Sequence, residues 1–93
     1  MSLKHQSPRY IKILSLLNAL YPIPIDIRDI ARASTLSQEK VIVYLTNLLE
    51  DGLITREKEE GGLYQYVITP HGRQAYRQWI MQQRVKRMGE MVE

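Results

Sequence analysis

Few side chains in this sequence are equipped for covalent or acid–base chemistry, and their spacing does not bring them together. There is no cysteine, so neither a thiolate nucleophile nor a thiolate metal site is available, and the two histidines, His5 and His71, are too few to compensate. His71 follows Thr69 closely but has no carboxylate and nucleophile near it in sequence, so it reads as a solvated side chain in the first turn of a helix. Gly61-Gly62 is a turn and not a phosphate loop, because neither a lysine nor a helix start follows it. No catalytic residue, metal ligand or cofactor is expected, and the chain is not expected to be an enzyme. What remains is hydrogen bonding and charge. A strip of Gln38, Glu39, Ile42, Val43, Thr46 and Asn47 lies opposite an apolar stripe, and Lys4, Arg9, Lys12, Arg28, Arg32, Arg56 and Lys58 either neutralise phosphates through counterion release or are ordinary solvated charges.

Length and charge narrow the partners. Ninety-three residues fit one domain, which can bury a modest core but cannot also enclose a deep cofactor cleft. The net charge is +3, unevenly spread. Residues 1–25 and 70–93 each carry a net +3, whereas residues 26–69 carry −3. No apolar run approaches the ~20 residues of a membrane span, and the N-terminus lacks the apolar centre of a signal peptide, so a cytoplasmic location without membrane contact is expected.

The elements that position the polar strip follow from start and stop signals. Ser7-Pro8 opens a first helix with Tyr10, Ile13, Leu14, Leu17 and Leu20 inward. Tyr21-Pro22-Ile23-Pro24 ends it, and Ile23 to Ile25 is extended, as a short edge strand or a plain connection. Asp26 caps a second helix, Ile27 to Ala33, with Ile27, Ile30 and Ala31 inward. Ser34-Thr35-Leu36 joins it to a third helix so tightly that the two must cross steeply, as in a helix-turn-helix. Ser37 caps that third helix, Val41, Tyr44, Leu45, Leu48 and Leu49 form its buried stripe, and Gly52 stops it. The Ile42–Val43 pair on the far side either completes the core through a slight rotation of the helix or forms a protein-contact patch. Leu53 to Glu59 and Leu63 to Thr69 make a hairpin about Gly61-Gly62, with Tyr64 and Tyr66 on one face as sheet packing or, alternatively, a stacking platform for single-stranded nucleic acid. Thr69-Pro70 then opens a long last helix running toward Met91, in which Tyr76, Trp79 and Ile80 seal the core.

This order, with Leu48-Leu49-Glu50-Asp51-Gly52-Leu53-Ile54 closing the third helix and Ile68-Thr69-Pro70-His71-Gly72-Arg73 opening the last, resembles the winged helix-turn-helix DNA-binding proteins, especially the MarR-like and related small prokaryotic regulators. The resemblance covers roughly residues 7–77. It implies a mainly helical α+β fold: a three-helix core, a β-hairpin wing and a long C-terminal helix, here one domain over residues 1–93 with residues 78–93 as a dimerisation arm.

The resemblance further implies a transcriptional regulator that lays the helix Ser37 to Asp51 in the major groove of double-stranded DNA and rests the 56–62 wing on the backbone. Mapped onto this helix, the family's contact positions are Ser37, Gln38, Glu39, Lys40, Ile42, Val43 and Thr46. Gln38 suits adenine, Glu39 suits cytosine and Val43 meets a thymine methyl, while Ser37 and Lys40 suit phosphates, as do Arg56 and Lys58 on the wing. Two features depart from the pattern: Val43 stands where the family usually has an arginine, and the wing carries three acids against two bases. The alternative is a winged-helix protein-interaction module that uses Ile42 and Val43 and leaves DNA alone. Met81, Val85, Met88 and Val92 recur at a/d spacing, a seam for a partner helix, so a homodimer is expected. A cavity between first and last helices could hold a small effector, as in the resembling regulators, but no residue demands one.

Overall fold

Each helix starts where a side chain can accept from an otherwise free backbone amide. The computed structural model describes residues 7–91. In it α1 spans Pro8–Leu20, with the Ser7 hydroxyl accepting from Tyr10 N, and α2 spans Ile27–Ser34, with the Asp26 carboxylate accepting from Asp29 N. That bond, aided by Arg28 3.3 Å away, holds the Asp26 carboxyl below the usual aspartate range despite its burial. The third helix, α3, spans Gln38–Glu50 behind the Ser37 cap. The last, α4, spans Pro70–Met91, and the Thr69 hydroxyl accepts from Gly72 N at 2.9 Å.

Tyr10, Ile13, Leu14 and Leu17 of α1 meet Ile30 of α2 and Val41, Leu45 and Leu48 of α3 in one core. Burying a side chain of this size contributes about 1.5–3 kcal/mol. The corner between α2 and α3 is set by Thr35, whose backbone is left-handed (φ 58°) and whose N–H closes α2 onto Arg32 O. Leu36 packs beneath it. Ser34 is buried and satisfies its hydroxyl by donating to Ile30 O at 2.7 Å. Beyond this corner the N-terminal half of α3 is exposed at Gln38, Glu39, Lys40, Ile42 and Val43.

The sheet is antiparallel in the order β1-β3-β2, with β1 at Ile25–Asp26, β2 at Ile54–Lys58 and β3 at Tyr64–Ile68. The extended stretch after α1 therefore ends in a two-residue edge strand that begins only at Ile25, with Ile23 and Pro24 outside the ladder. The reversal between β2 and β3 is wider than a two-residue turn: Glu59 N donates to Leu63 O, leaving residues 60–62 outside the ladder, and Gly61 and Gly62 supply the positive φ that such a loop requires. Tyr66 is buried in the core, while Tyr64 lies outside it with the Arg56 guanidinium 4.3 Å from its ring centre. The two tyrosines share a side of β3 without forming a continuous aromatic platform.

The sequence's two most distinctive segments, around Gly52 and around Thr69, meet in space. Leu53 N closes α3 by donating to Leu48 O, and Thr69 returns along β3 to donate its N–H to Leu53 O at 2.9 Å. The Thr69 hydroxyl lies 3.1 Å from Gly52 O and 3.0 Å from Leu53 O. Gly72 completes the clasp, because a Cβ there would sit 2.8 Å from Ile68 Cγ1 and collide with the Leu53 carbonyl. The end of α3 and the start of α4 are thereby locked together.

Two sequence expectations need correction. Ile42 and Val43 do not complete the core; they are 49% and 56% exposed, because Val41, Leu45 and Leu48 already fill the space against α1 and α2. The second helix also runs one residue further than expected, to Ser34, because that buried hydroxyl caps its own last turn. Lys4, His5 and Val92 lie outside the described residues.

Candidate nucleic-acid interface

The outer face of α3 is uncovered over its first three turns. Ser37, Gln38, Glu39, Lys40, Ile42, Val43 and Thr46 are all exposed, while Asn47 is half-buried. Not all of their polar groups are equally free. The Ser37 hydroxyl is engaged as the cap, accepting from Lys40 N at 3.3 Å, and the Thr46 hydroxyl donates back to Ile42 O at 2.8 Å, retaining only its lone pairs for a ligand. Gln38, Glu39 and Lys40 therefore carry the available donors and acceptors, flanked by the apolar Ile42 and Val43. Such a surface can hydrogen-bond base edges near the helix start and meet thymine methyls one turn further on.

The wing stands beside it. Thr55, Arg56, Glu57 and Lys58 of β2 are exposed, and the Tyr64 stack holds the Arg56 guanidinium above the strand. Arg28 and Arg32 on α2 are also exposed but pair with Asp26 at 3.3 Å and Asp29 at 3.6 Å, so their charge is partly neutralised within the helix. Arg9 and Lys12 are exposed on α1.

One contact that fixes α3 is not legible in the sequence. Tyr10 Oη donates to Asp51 Oδ2 at 2.8 Å, which ties the start of α1 to the C-cap of α3. Burial first, and then the bond to and the charge of Asp51, raise the Tyr10 phenol well above its ordinary value. Tyr10 was legible as an inward residue; nothing in the sequence pointed to its partner, 41 positions away.

The proposed seam residues Met81, Val85 and Met88 are 58%, 67% and 64% exposed on the projecting half of α4. Among the described residues no three His, Asp or Glu side chains converge as a metal site, and no helix is long and apolar enough to cross a membrane.

Comparison with solved structures places this arrangement among transcription regulators in shape. MepR, the regulator of the Staphylococcus aureus multidrug efflux pump MepA, aligns over 94% of this chain with a TM-score of 0.75 at 19% identity. A MarR-family regulator from Silicibacter pomeroyi aligns over 94% with a TM-score of 0.71 at 26% identity. The chain spans only 66% and 60% of those two proteins. A putative DNA-binding protein from Ralstonia eutropha is instead covered over 98% of its own length, with 81% of this chain aligned, a TM-score of 0.70 and 22% identity. No family model matches the sequence, nor does any curated protein. The chain has the winged helix-turn-helix fold of the MarR-like transcriptional regulators.

Proposed function

We propose that this protein is a transcriptional regulator that binds double-stranded DNA as a homodimer, with α3 in the major groove and the wing on the sugar-phosphate backbone. The uncovered outer face of α3 carries the proposal: the core packs entirely behind it, so the helix is free to enter a groove. In this reading Gln38, Glu39 and Val43 read base edges, Thr46 contributes an acceptor, and Ser37, Lys40, Arg56 and Lys58 position the duplex. The exposed Ile42–Val43 pair lies within the same footprint and supplies apolar contacts to thymine methyls.

Dimerisation answers the weak charge of the centre. Two half-sites bound together gain affinity without better individual contacts. The exposed Met81, Val85 and Met88, with Val92 beyond them in sequence, form the pairing seam of an arm over residues 78–93. The decisive experiment is binding to random and genomic duplexes across salt concentrations, with mass by light scattering. Each phosphate neutralised should contribute about 0.9 to the slope of log affinity against log salt. Lys40→Ala should weaken all sequences alike, while Gln38→Ala should relax preference at one base pair. A salt slope near zero would remove the proposal.

A further inference from the structure

Away from the reading helix, the connection after α1 is unusually well held for an exposed segment. Pro22 and Pro24 fix the backbone on either side of Ile23, Ile23 N donates to Leu20 O at 2.8 Å, and Ile25 pairs with Tyr66 in the sheet. This rigid segment nevertheless pushes Ile23 into solvent at 64% exposure and Tyr21 at 39%. Beside it α4 presents Arg73 and Arg77, one helical turn apart on the same face. The Arg73 guanidinium stands 4.1 Å over the Tyr21 ring, which preorganises it. No acid occupies the first turn of α4, and among the described residues neither arginine pairs with a carboxylate. Like charges four residues apart oppose each other, and Arg73, in the first turn, also opposes the helix dipole. An anion brought to them would relieve both.

Tyr21, Pro70, Arg73, Gln74 and Arg77 line an open groove of about 590 Å³. Its shape decides among anions. A small ligand is normally enclosed over ~70–90% of its surface, which an open trough cannot provide. The narrower annex at Asn18, Tyr76 and Ile80 holds only about 200 Å³. A duplex on the wing is also distant, because β3 carries the chain about 17 Å back from the wing tip before α4 begins. An extended chain with alternating side chains fits both the charged wall of the trough and its apolar groups, Tyr21 and Pro70.

We infer that this groove docks an extended acidic polypeptide segment of a partner protein, its carboxylates on Arg73 and Arg77 and an apolar side chain against Tyr21 and Pro70. The inference stands apart from DNA binding and is tested without DNA. The full chain, isotopically labelled for NMR, is titrated with a short synthetic peptide of alternating Asp and Leu. Parallel titrations use the same peptide with Lys for Asp, and free aspartate at matched carboxylate concentration. Saturable shifts confined to residues 21–25 and 73–77, seen with the acidic peptide alone, are expected. Arg77→Glu, at an exposed position, should weaken that response by about tenfold or more, and Arg84→Glu, further along α4, should leave it unchanged. The inference is overturned by shifts that do not saturate, by an equal response to free aspartate, by shifts centred on α3 or the wing, or by equal losses in the two variants. Concentration-dependent shifts at the groove and at Glu57–Glu60 without peptide would assign it to a second copy and overturn it equally.

Discussion

The two halves of α4 share one helix but not one environment. From Pro70 to Ile80 the helix is rooted: Gly72 presses against the Leu53 carbonyl, Ala75 is buried, Tyr76 and Trp79 pack on the core, and Tyr76 Oη donates to Ser15 Oγ at 2.9 Å. From Met81 onward the helix projects, with Met81, Val85 and Met88 exposed and open space around Gly89. The apolar spacing is helical in both halves. Periodicity therefore says that a side is apolar, and only the surrounding chain says whether that side is already covered.

Substitutions in the two halves should separate them sharply. The largest effect is expected at the root: Gly72→Ala drives a methyl group into the Leu53 carbonyl and should cost about 3 kcal/mol, read as a lower denaturation midpoint. A small cost there would mean that the clasp yields, and the contrast between the halves would collapse. Tyr10→Phe, at the neighbouring α1–α3 tie, should cost about 1 kcal/mol. Because the folded protein raises the Tyr10 pKa above its ordinary value of 10.0, its contribution is fully present below that pH and is lost as pH rises toward the folded value. The variant should accordingly lose less stability than the parent between neutral and strongly alkaline solution, which pH-dependent denaturation checks.

On the projecting half the sign should reverse. Gly89→Ala meets no neighbouring atom and improves helix propensity by up to about 1 kcal/mol; circular dichroism should show greater helicity, with little change in the global midpoint. Smallest per residue, replacing Met81, Val85 and Met88 together by Ser should alter the stability of the isolated subunit by less than about 0.5 kcal/mol at each position. Light scattering should nevertheless show the proposed dimer lost. A large loss of subunit stability would instead place these side chains in a core contact within one chain.

Much of this fold was legible because it is punctuated by short-range chemistry. Ser7, Asp26, Ser37 and Thr69 each accept from the amide three residues on, a relation that a sequence displays directly. The wing followed from two runs of strand-forming residues about a glycine pair. Long-range relations were harder to read. Gly72 looks like a weak helix residue until the Leu53 carbonyl is placed beside it, and Tyr10 and Asp51 give no sign of each other. The α3 face was ambiguous for another reason: Ile42 and Val43 adjoin the buried stripe, and the helix's rotation depends on how Val41, Leu45 and Leu48 fit α1 and α2. For the interface, the exposure of the expected positions and the capping role of Ser37 were legible, whereas the engagement of the Thr46 hydroxyl with the Ile42 carbonyl depended on its rotamer.

The clasp at Thr69 also has a mechanical side. With 22 residues, α4 is a rod about 33 Å long, held along its first half and projecting along its second. A tilt of about five degrees where the packed half ends swings the tip by roughly 1.5 Å. Since the Thr69 hydroxyl at the rooted end also grips the Gly52 and Leu53 carbonyls behind α3, a load on the tip that is carried back through the packed half is delivered to the end of α3.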